Sequence, residues 1–465
     1  MPAKERTAIP RATMPMLGAE FRIHNNFEVN EGLSADQAVV EATRCLDCPD
    51  PQCVTGCPVG IDIPGFIKNI QRGDIGAAAG VLRKTSALPA VCGRVCPQER
   101  QCEAKCIYNK MKKAPVAIGW LERYAADTER LSGNRPQVER LAANGIRIAV
   151  AGSGPCGLSF AGDMAKLGYD VTVYEALHEI GGVLKYGIPE FRLPNAVVDA
   201  ELDALRELGV KFVADTVIGK TIGYDDLLNE GYAALFVASG AGLPRFMGIP
   251  GENFINILSS NEYLTRINLM HAGSEGWATP VPRGKRVAVI GGGNTAMDSV
   301  RTALRMGAEK AFLVYRRSED EMPARREEIE HAKEEGVEFM TLSNPVEYLA
   351  DEKGRVRAMM VQRMELGEPD ESGRRSPVPI EGAIDEIGVD VVIVSVGVSP
   401  NPLIPNAIDG LEVTRRGTIA VNEGMQSSMP LIFAGGDIVR GGATVILAMG
   451  DGRHAAASLH KYLQS

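Results

Sequence analysis

Residues 147–175, RIAVAGSGPCGLSFAGDMAKLGYDVTVYE, decide the fold. The apolar run RIAVA breaks at a glycine turn. An amphipathic stretch follows, and a second apolar run ends in an acid. That is strand, turn, helix, strand, the unit from which parallel sheets are built. The turn GSGPCG fits G-x-G-x-x-G with Gly152, Gly154 and Gly157. The first glycine makes the tight turn, the second lets a diphosphate approach the backbone, and the third lets helix and strand pack closely. The diphosphate then rests on a helix N-terminus, where free N–H groups and the dipole favour an anion. Glu175, closing the second strand, is placed to accept from adenosine ribose hydroxyls.

The plan recurs about 140 residues later, in RVAVIGGGNTAMDSVRTALRMGAEKAFLVYRR (286–317). Its turn GGGNTA offers Gly291, Gly293 and Asn294, with Ala296 in the third slot. Where the first unit ends in an acid, this one ends in Arg316 and Arg317. A carboxylate there repels a 2′-phosphate and guanidinium groups bind it, so the second site reads as NADP(H). Two dinucleotide sites on one chain point to FAD in the first. FAGGD (433–437) supports this: a strand ends at Gly436 and Asp437, just before a helix-like stretch. Asp437 is suited to bond the ribityl chain. The Gly- and Pro-rich segment 272–285 is the expected crossing between the two units.

The chain has 465 residues, 45% hydrophobic and 23% charged, with a net charge of −9. That length predicts several domains, and the acidic balance speaks against a nucleic-acid binder. No run of about 18 apolar residues predicts a membrane span. The opening MPAKERTAIPRATMPMLG has no apolar core of a secretory signal. A cytoplasmic, reducing location is expected, and disulfides are rare there.

Eight of the nine cysteines fall between Cys45 and Cys106. They run C-x2-C-x4-C-x3-C (45, 48, 53, 57), then C-x3-C-x5-C-x3-C (92, 96, 102, 106). Zinc sites usually pair two C-x2-C knuckles, and only one is present. Close thiolate runs with a Cys-Pro step suit iron–sulfur cubes. The spacing therefore favours two [4Fe–4S] clusters over zinc or disulfides. Spacing alone also selects all eight cysteines as ligands, Cys92 included. No cysteine follows Cys156, so a thioredoxin-reductase dithiol is not expected.

The strings RCLDCPDPQCVTGCPVGIDIP, LPAVCGRVCPQERQCEAKC, IGWLERY, GGVLKYGIPEFRLP, YRRSEDEMPARR and FAGGDIVRGGATVILAMGDGR, with both glycine turns, are spread along nearly the whole chain. In them the chain resembles the NADPH-dependent glutamate synthase small (beta) subunit family. It is also similar to the large subunit of NADH-dependent ferredoxin:NADP oxidoreductase and to the N-terminal half of dihydropyrimidine dehydrogenase. The resemblance implies an α/β chain with an all-helical iron–sulfur domain (1–143). A FAD domain in two parts (144–280 and 399–465) would surround an inserted NADP(H) domain (281–398).

The same resemblance implies one cluster on Cys45, Cys48, Cys53 and Cys106, and another on Cys57, Cys96, Cys102 and Glu122. Cys92 then becomes a buried apolar residue. It implies that Gly182 and Arg192 lie along the flavin. It further implies an electron-input subunit that takes hydride from NADPH and passes single electrons to a partner. The partner is a large FMN-containing glutamate synthase subunit or, in the related branch, a small flavin/2Fe–2S subunit. Both branches share every motif quoted. The sequence begins Met-Pro, without a cysteine nucleophile, so no amidotransferase activity is expected.

Overall fold

The computed structural model describes residues 1–135, 138–371 and 373–464. Residues up to Ser132 form helices joined by short turns, and the only strand-like pairing there is a bridge between Met16 and Asn30. Two crossed helices hold the centre of this region, Pro89–Val95 and Ile118–Ser132. They touch at glycines. A Cβ on Gly93 would lie 2.5 Å from the Arg123 backbone nitrogen, and one on Gly119 would meet the Gln98 amide. The longer helix buries Ile118, Leu121, Glu122, Ala125 and Glu129, a stripe at helical spacing that includes two acids.

Two parallel five-stranded sheets follow. The first runs in the order Ile432–Ala434, Tyr232–Val237, Arg147–Ala151, Asp170–Tyr174, Lys211–Val213. Its central strands are buried almost end to end, as expected where helices cover both faces. The second runs Ile257–Ser259, Val391–Val394, Arg286–Ile290, Lys310–Tyr315, Glu338–Thr341. A three-stranded antiparallel sheet, Ser343–Ala350, Val356–Pro369 and Arg375–Gly388, is inserted within it. The chain leaves the first sheet through Leu243–Pro244 and returns through Val398–Ser399, and these two crossings pair antiparallel.

This arrangement corrects the boundary expected at 280. Ile257–Ser259 lies parallel to Val391–Val394 as an edge of the second sheet, so the crossing lies at 243–244 rather than in 272–285. Three strand residues beside a helix start carry too little periodicity to be read as a strand.

The N-terminal helices and one face of the first sheet share a continuous core, from Leu33 through Phe66, Leu121 and Phe160 to Leu459. The helix Val445–Leu463 lies at its centre. A Cβ on Gly452 would meet the Cys156 carbonyl and sit 3.0 Å from the Phe160 nitrogen, so this helix crosses the glycine-turn helix Pro155–Lys166 closely. On the other side, a Cβ on Gly450 would lie 3.0 Å from the Pro58 carbonyl oxygen.

Ion pairs tie the second sheet's domain to the rest. Arg22, 1% exposed, reaches Glu335 at 2.8 Å, and Glu335 also binds Arg301 and Arg305 at 2.8 Å each. Arg100 donates to the carbonyls of Met322 and Pro323, at 2.8 and 3.1 Å.

Candidate electron-transfer site

At the first glycine turn, Gly152 has φ +106° and a Cβ there would lie 2.9 Å from the Ala238 carbonyl carbon. At Gly157 a Cβ would strike the Gly152 carbonyl. At Gly154 it would meet nothing within 4 Å. The turn is thus tight on its protein side and open where the helix Pro155–Lys166 begins, and no side chain caps that N-terminus. This is a cradle for a diphosphate. Glu175 accepts from the Ser153 N–H at 2.9 Å and the Ser153 hydroxyl at 2.6 Å, which fixes the turn against the second strand. Gly182 has φ +55°, and a Cβ on it would come within 2.9 Å of the Gly154 Cα, so the 181–182 loop closes directly over the turn.

Asp437 lies at the far side of the same site. Burial, together with the charge of Asp451, pushes its carboxyl up to about 6, and it accepts from the Ala443 N–H. Tyr186 faces Asp437 and Glu175, and burial with those two charges pushes its phenol up to about 12. Sequence reasoning missed Tyr186 and Ser153, although both lie within the quoted motifs. Gly436, at φ +75°, donates its N–H to Asp451 at 3.1 Å.

The second turn repeats the geometry. A Cβ on Gly291 would meet the Ser395 carbonyl, whereas one on Gly293 would have only Pro323, at 4.0 Å. Asn294 accepts from the Arg325 N–H at 2.9 Å, and Ala296 is buried. The two arginines differ. Arg317 is buried and binds Asp370 at 2.5 Å and the Arg375 carbonyl at 2.8 Å. Arg316 is exposed and has no ion pair among the described residues.

Arg192, expected along the flavin, has its guanidinium on Asp298 at 2.6 Å and Glu328 at 3.6 Å, both on the second domain. It therefore crosses from one nucleotide domain to the other. Burial pushes Asp298 up to about 6, against the pull of Arg192. No local pattern in the sequence signals this pair, because its members lie 106 residues apart.

All nine cysteines are unpaired thiols. The eight N-terminal ones fall into two groups. Burial and the charges of Cys48 and Cys106 push Cys45 up to about 11. Burial with Cys45, Cys106 and Cys48 pushes Cys53 up to about 12. The other group surrounds Glu122: burial raises Cys57 and Cys102, the hydrogen bond with Cys92 and burial raise Cys96, and the charge of Glu122 adds to each. Cys92 borders this second group and shares a side-chain hydrogen bond with Cys96.

Glu122 is the least satisfied member. Its Oε1 is buried without a hydrogen-bond partner among the described residues, and burial, then Glu201, pushes the carboxyl up to about 8. A buried carboxylate of this kind needs a proton or a positive centre. Thiols crowded without disulfides need the same. Both donor sets fit iron–sulfur clusters. Among the described residues no set of three or more His, Cys, Asp or Glu side chains is spaced for a single metal ion.

Residues 22–134 match the family model for dihydropyrimidine dehydrogenase domain II, 4Fe–4S cluster, and 146–452 match that for pyridine nucleotide-disulphide oxidoreductases. The glutamate synthase [NADPH] small chain of Halomonas elongata is 38% identical over 456 residues, covering 96% of this chain and 95% of that protein. The one from Escherichia coli is 37% identical over 468 residues, covering 99% and 98%. Among solved structures, FprA of Mycobacterium tuberculosis in complex with NADPH shares the fold. Its TM-score is 0.58 at 22% identity, covering 69% of this chain and 85% of FprA. This chain belongs to the family of NADPH-dependent glutamate synthase small chains, oxidoreductases that join a 4Fe–4S domain to FAD- and NADP(H)-binding domains.

Proposed function

We propose that this chain is the electron-input subunit of a glutamate synthase. It oxidises NADPH and supplies single electrons to a large FMN-containing subunit, which makes glutamate from glutamine and 2-oxoglutarate. Bound flavin accepts hydride and releases electrons singly, and bound 4Fe–4S clusters carry them onward.

The chain's own residues hold these groups. Gly152, Gly154 and Gly157 seat the FAD diphosphate, with Gly182 closing the turn and Asp437 and Tyr186 on the opposite wall. Gly291, Gly293 and Asn294 seat the NADPH diphosphate, and Arg316 takes the 2′-phosphate beside Arg317. Cys45, Cys48, Cys53 and Cys106 ligate one cluster. Cys57, Cys96, Cys102 and Glu122 ligate the other.

The observation that carries the reading is the helix Val445–Leu463. Gly452 packs on the FAD-side helix, while Met449 and Gly450 pack on Cys92 and Pro58, which border the second thiol group. A shared apolar core thus joins the hydride-accepting site to the neighbourhood of the second thiol group. Unpaired thiols and iron–sulfur clusters also suit a reducing cytoplasm.

The test is anaerobic titration of the purified holoprotein. NADPH should bleach the flavin without any partner, and adding the large subunit should yield NADPH-dependent glutamate. An unchanged flavin spectrum would overturn the assigned electron entry. Bleaching without glutamate would overturn the partner.

A further inference from the structure

The chain is acidic overall, yet one face is not. Between residues 104 and 114 it carries Lys105, Lys110, Lys112 and Lys113 and no acid. All four are exposed, and none is in an ion pair among the described residues. Met111, 44% exposed, stands among them.

This segment contains Cys106, so it borders the first thiol group. Other contacts hold it there. The Lys113 ammonium donates to the Thr7 carbonyl at 2.6 Å, Tyr108 donates to the Arg44 carbonyl at 2.7 Å, and Arg6 donates to the Cys45 carbonyl at 2.7 Å. A groove of about 360 Å³ opens beside it, lined by Arg6, Cys45, Leu46, Ile67 and Lys68. Acids on the neighbouring segments are Glu5, Asp47, Asp50 and the buried Glu103; Lys68 pairs with Asp47 at 2.5 Å and Arg11 with Glu103 at 2.8 Å. The face is therefore net basic, with Met111 exposed on it, and it adjoins the first thiol group at Cys106.

We propose that this face is the electron exit, and that it docks an acidic face on the accepting redox protein. The proposal rests on the electron-input reading. Two facts favour it. All four cysteines of the first thiol group are partly buried, whereas in the second Cys57 and Cys102 are partly buried and Cys96 is 5% exposed. Four unpaired lysines on a chain of net charge −9 attract an acidic surface to this one place, and matched charge raises association rates by about 10- to 10³-fold. In balance, one NADPH gives two electrons and leaves NADP⁺ and a proton. Two one-electron acceptors each take one electron.

The probe is an acidic [2Fe–2S] ferredoxin, compared with a basic c-type cytochrome and an uncharged quinone. The variant is Lys110→Glu/Lys112→Glu in the full holoprotein, with Lys110→Ala/Lys112→Ala beside it in case the reversal disturbs folding. The wild type should reduce the ferredoxin faster at about 0.01 M than at about 0.15 M salt, where the screening length falls from ~30 to ~8 Å. The double Glu variant should lose about 10-fold or more of that rate and most of its salt dependence. Calorimetry should show weakened ferredoxin binding without any turnover. Flavin bleaching by NADPH and quinone reduction should hold. Equal ferredoxin rates and binding in wild type and both variants would overturn the exit face. A wild type that prefers the cytochrome at low salt would overturn the sign of its charge. Loss of flavin bleaching in the wild type would overturn the electron-input reading and the exit face with it.

Discussion

The Cys92 sulfur lies 3.5 Å from the Met449 sulfur, across the seam between the iron–sulfur helices and the C-terminal helix. Cys92 is fully buried. Its place is against a thioether, where a small polarisable side chain packs well, while the buried Glu122 Oε1 has no hydrogen-bond partner among the described residues.

Cys92→Ala should therefore keep the full iron content, about eight atoms in two four-iron clusters. Its cost should be packing alone, about 1–2 kcal/mol. Glu122→Ala should change the electron paramagnetic resonance signal of one cluster and lower iron toward about four. Iron analysis and spectra of the reduced proteins check both. Iron lost from Cys92→Ala and retained in Glu122→Ala would reverse the ligand set.

Glycine positions separate ligand binding from folding. Gly154→Ala adds a methyl group where the protein has nothing within 4 Å. Its melting temperature without flavin should match the wild type, and its flavin content should fall, because the diphosphate needs that approach. Gly157→Ala should lower both, since its methyl meets the Gly152 carbonyl. Flavin absorbance per chain and thermal unfolding decide. A Gly154→Ala protein with full flavin would refute the cradle.

Because Arg317 is already held by Asp370, discrimination between nucleotides should fall mainly on Arg316. Arg316→Ala should weaken NADPH about 10-fold or more, using roughly 1.5–3 kcal/mol for a bond to a charged group and 1.4 kcal/mol per decade. NADH should be unaffected and kcat should hold. Arg317→Ala should also lower stability. Dissociation constants for both nucleotides test this, and equal losses for the two would count against the 2′-phosphate role.

The Arg22–Glu335–Arg301 knot should set acid stability. Burial alone raises a carboxylate, but Arg301 and Arg305 outweigh it and hold Glu335 at about 2, and Glu328 is held at about 2 likewise. Their folded pKa values lie below the unfolded 4.5, so their contribution is present above pH 4.5 and lost as pH falls toward 2. At full effect it is about 3 kcal/mol for each. Glu335→Gln should cost about 3–5 kcal/mol at neutral pH, because three guanidinium groups lose a partner, and should flatten the acid slope. Denaturant midpoints between pH 7 and 3 measure both. An unaltered slope would remove the knot from the account.

The sequence disclosed what is local. Both glycine turns, their strands and the acid-for-arginine exchange lie within about thirty residues each, and the backbone chemistry of a tight turn needs glycine there. It did not disclose what is distant. The run SEDEMPARREEIEHAKEEG reads as a solvated charged helix, yet Arg325, Glu328, His331 and Glu335 are buried. They are buried because Arg22, Arg192 and Arg301 arrive from other segments, and Arg22 is 313 residues from Glu335. Glu122 had a visible signal: it occupies the apolar stripe of its helix, where an acid without a partner is out of place. Cysteine spacing alone does not set Cys92 apart from the other seven, since its burial against Met449 depends on a segment 357 residues away.

The first sheet is completed late in synthesis. Ile432–Ala434 fills the place beside Tyr232–Val237, and residues 238–431, 194 in number, separate the two. At roughly 5–20 residues per second a ribosome takes about 10–40 s to make them. Throughout that interval the Tyr232–Val237 strand has an unpaired edge, while the second domain can close once Val391–Val394 has been made, before Ile432. Nascent chains paused before residue 432 should therefore hold NADPH and exclude flavin, which makes the inserted domain a timer for cofactor loading.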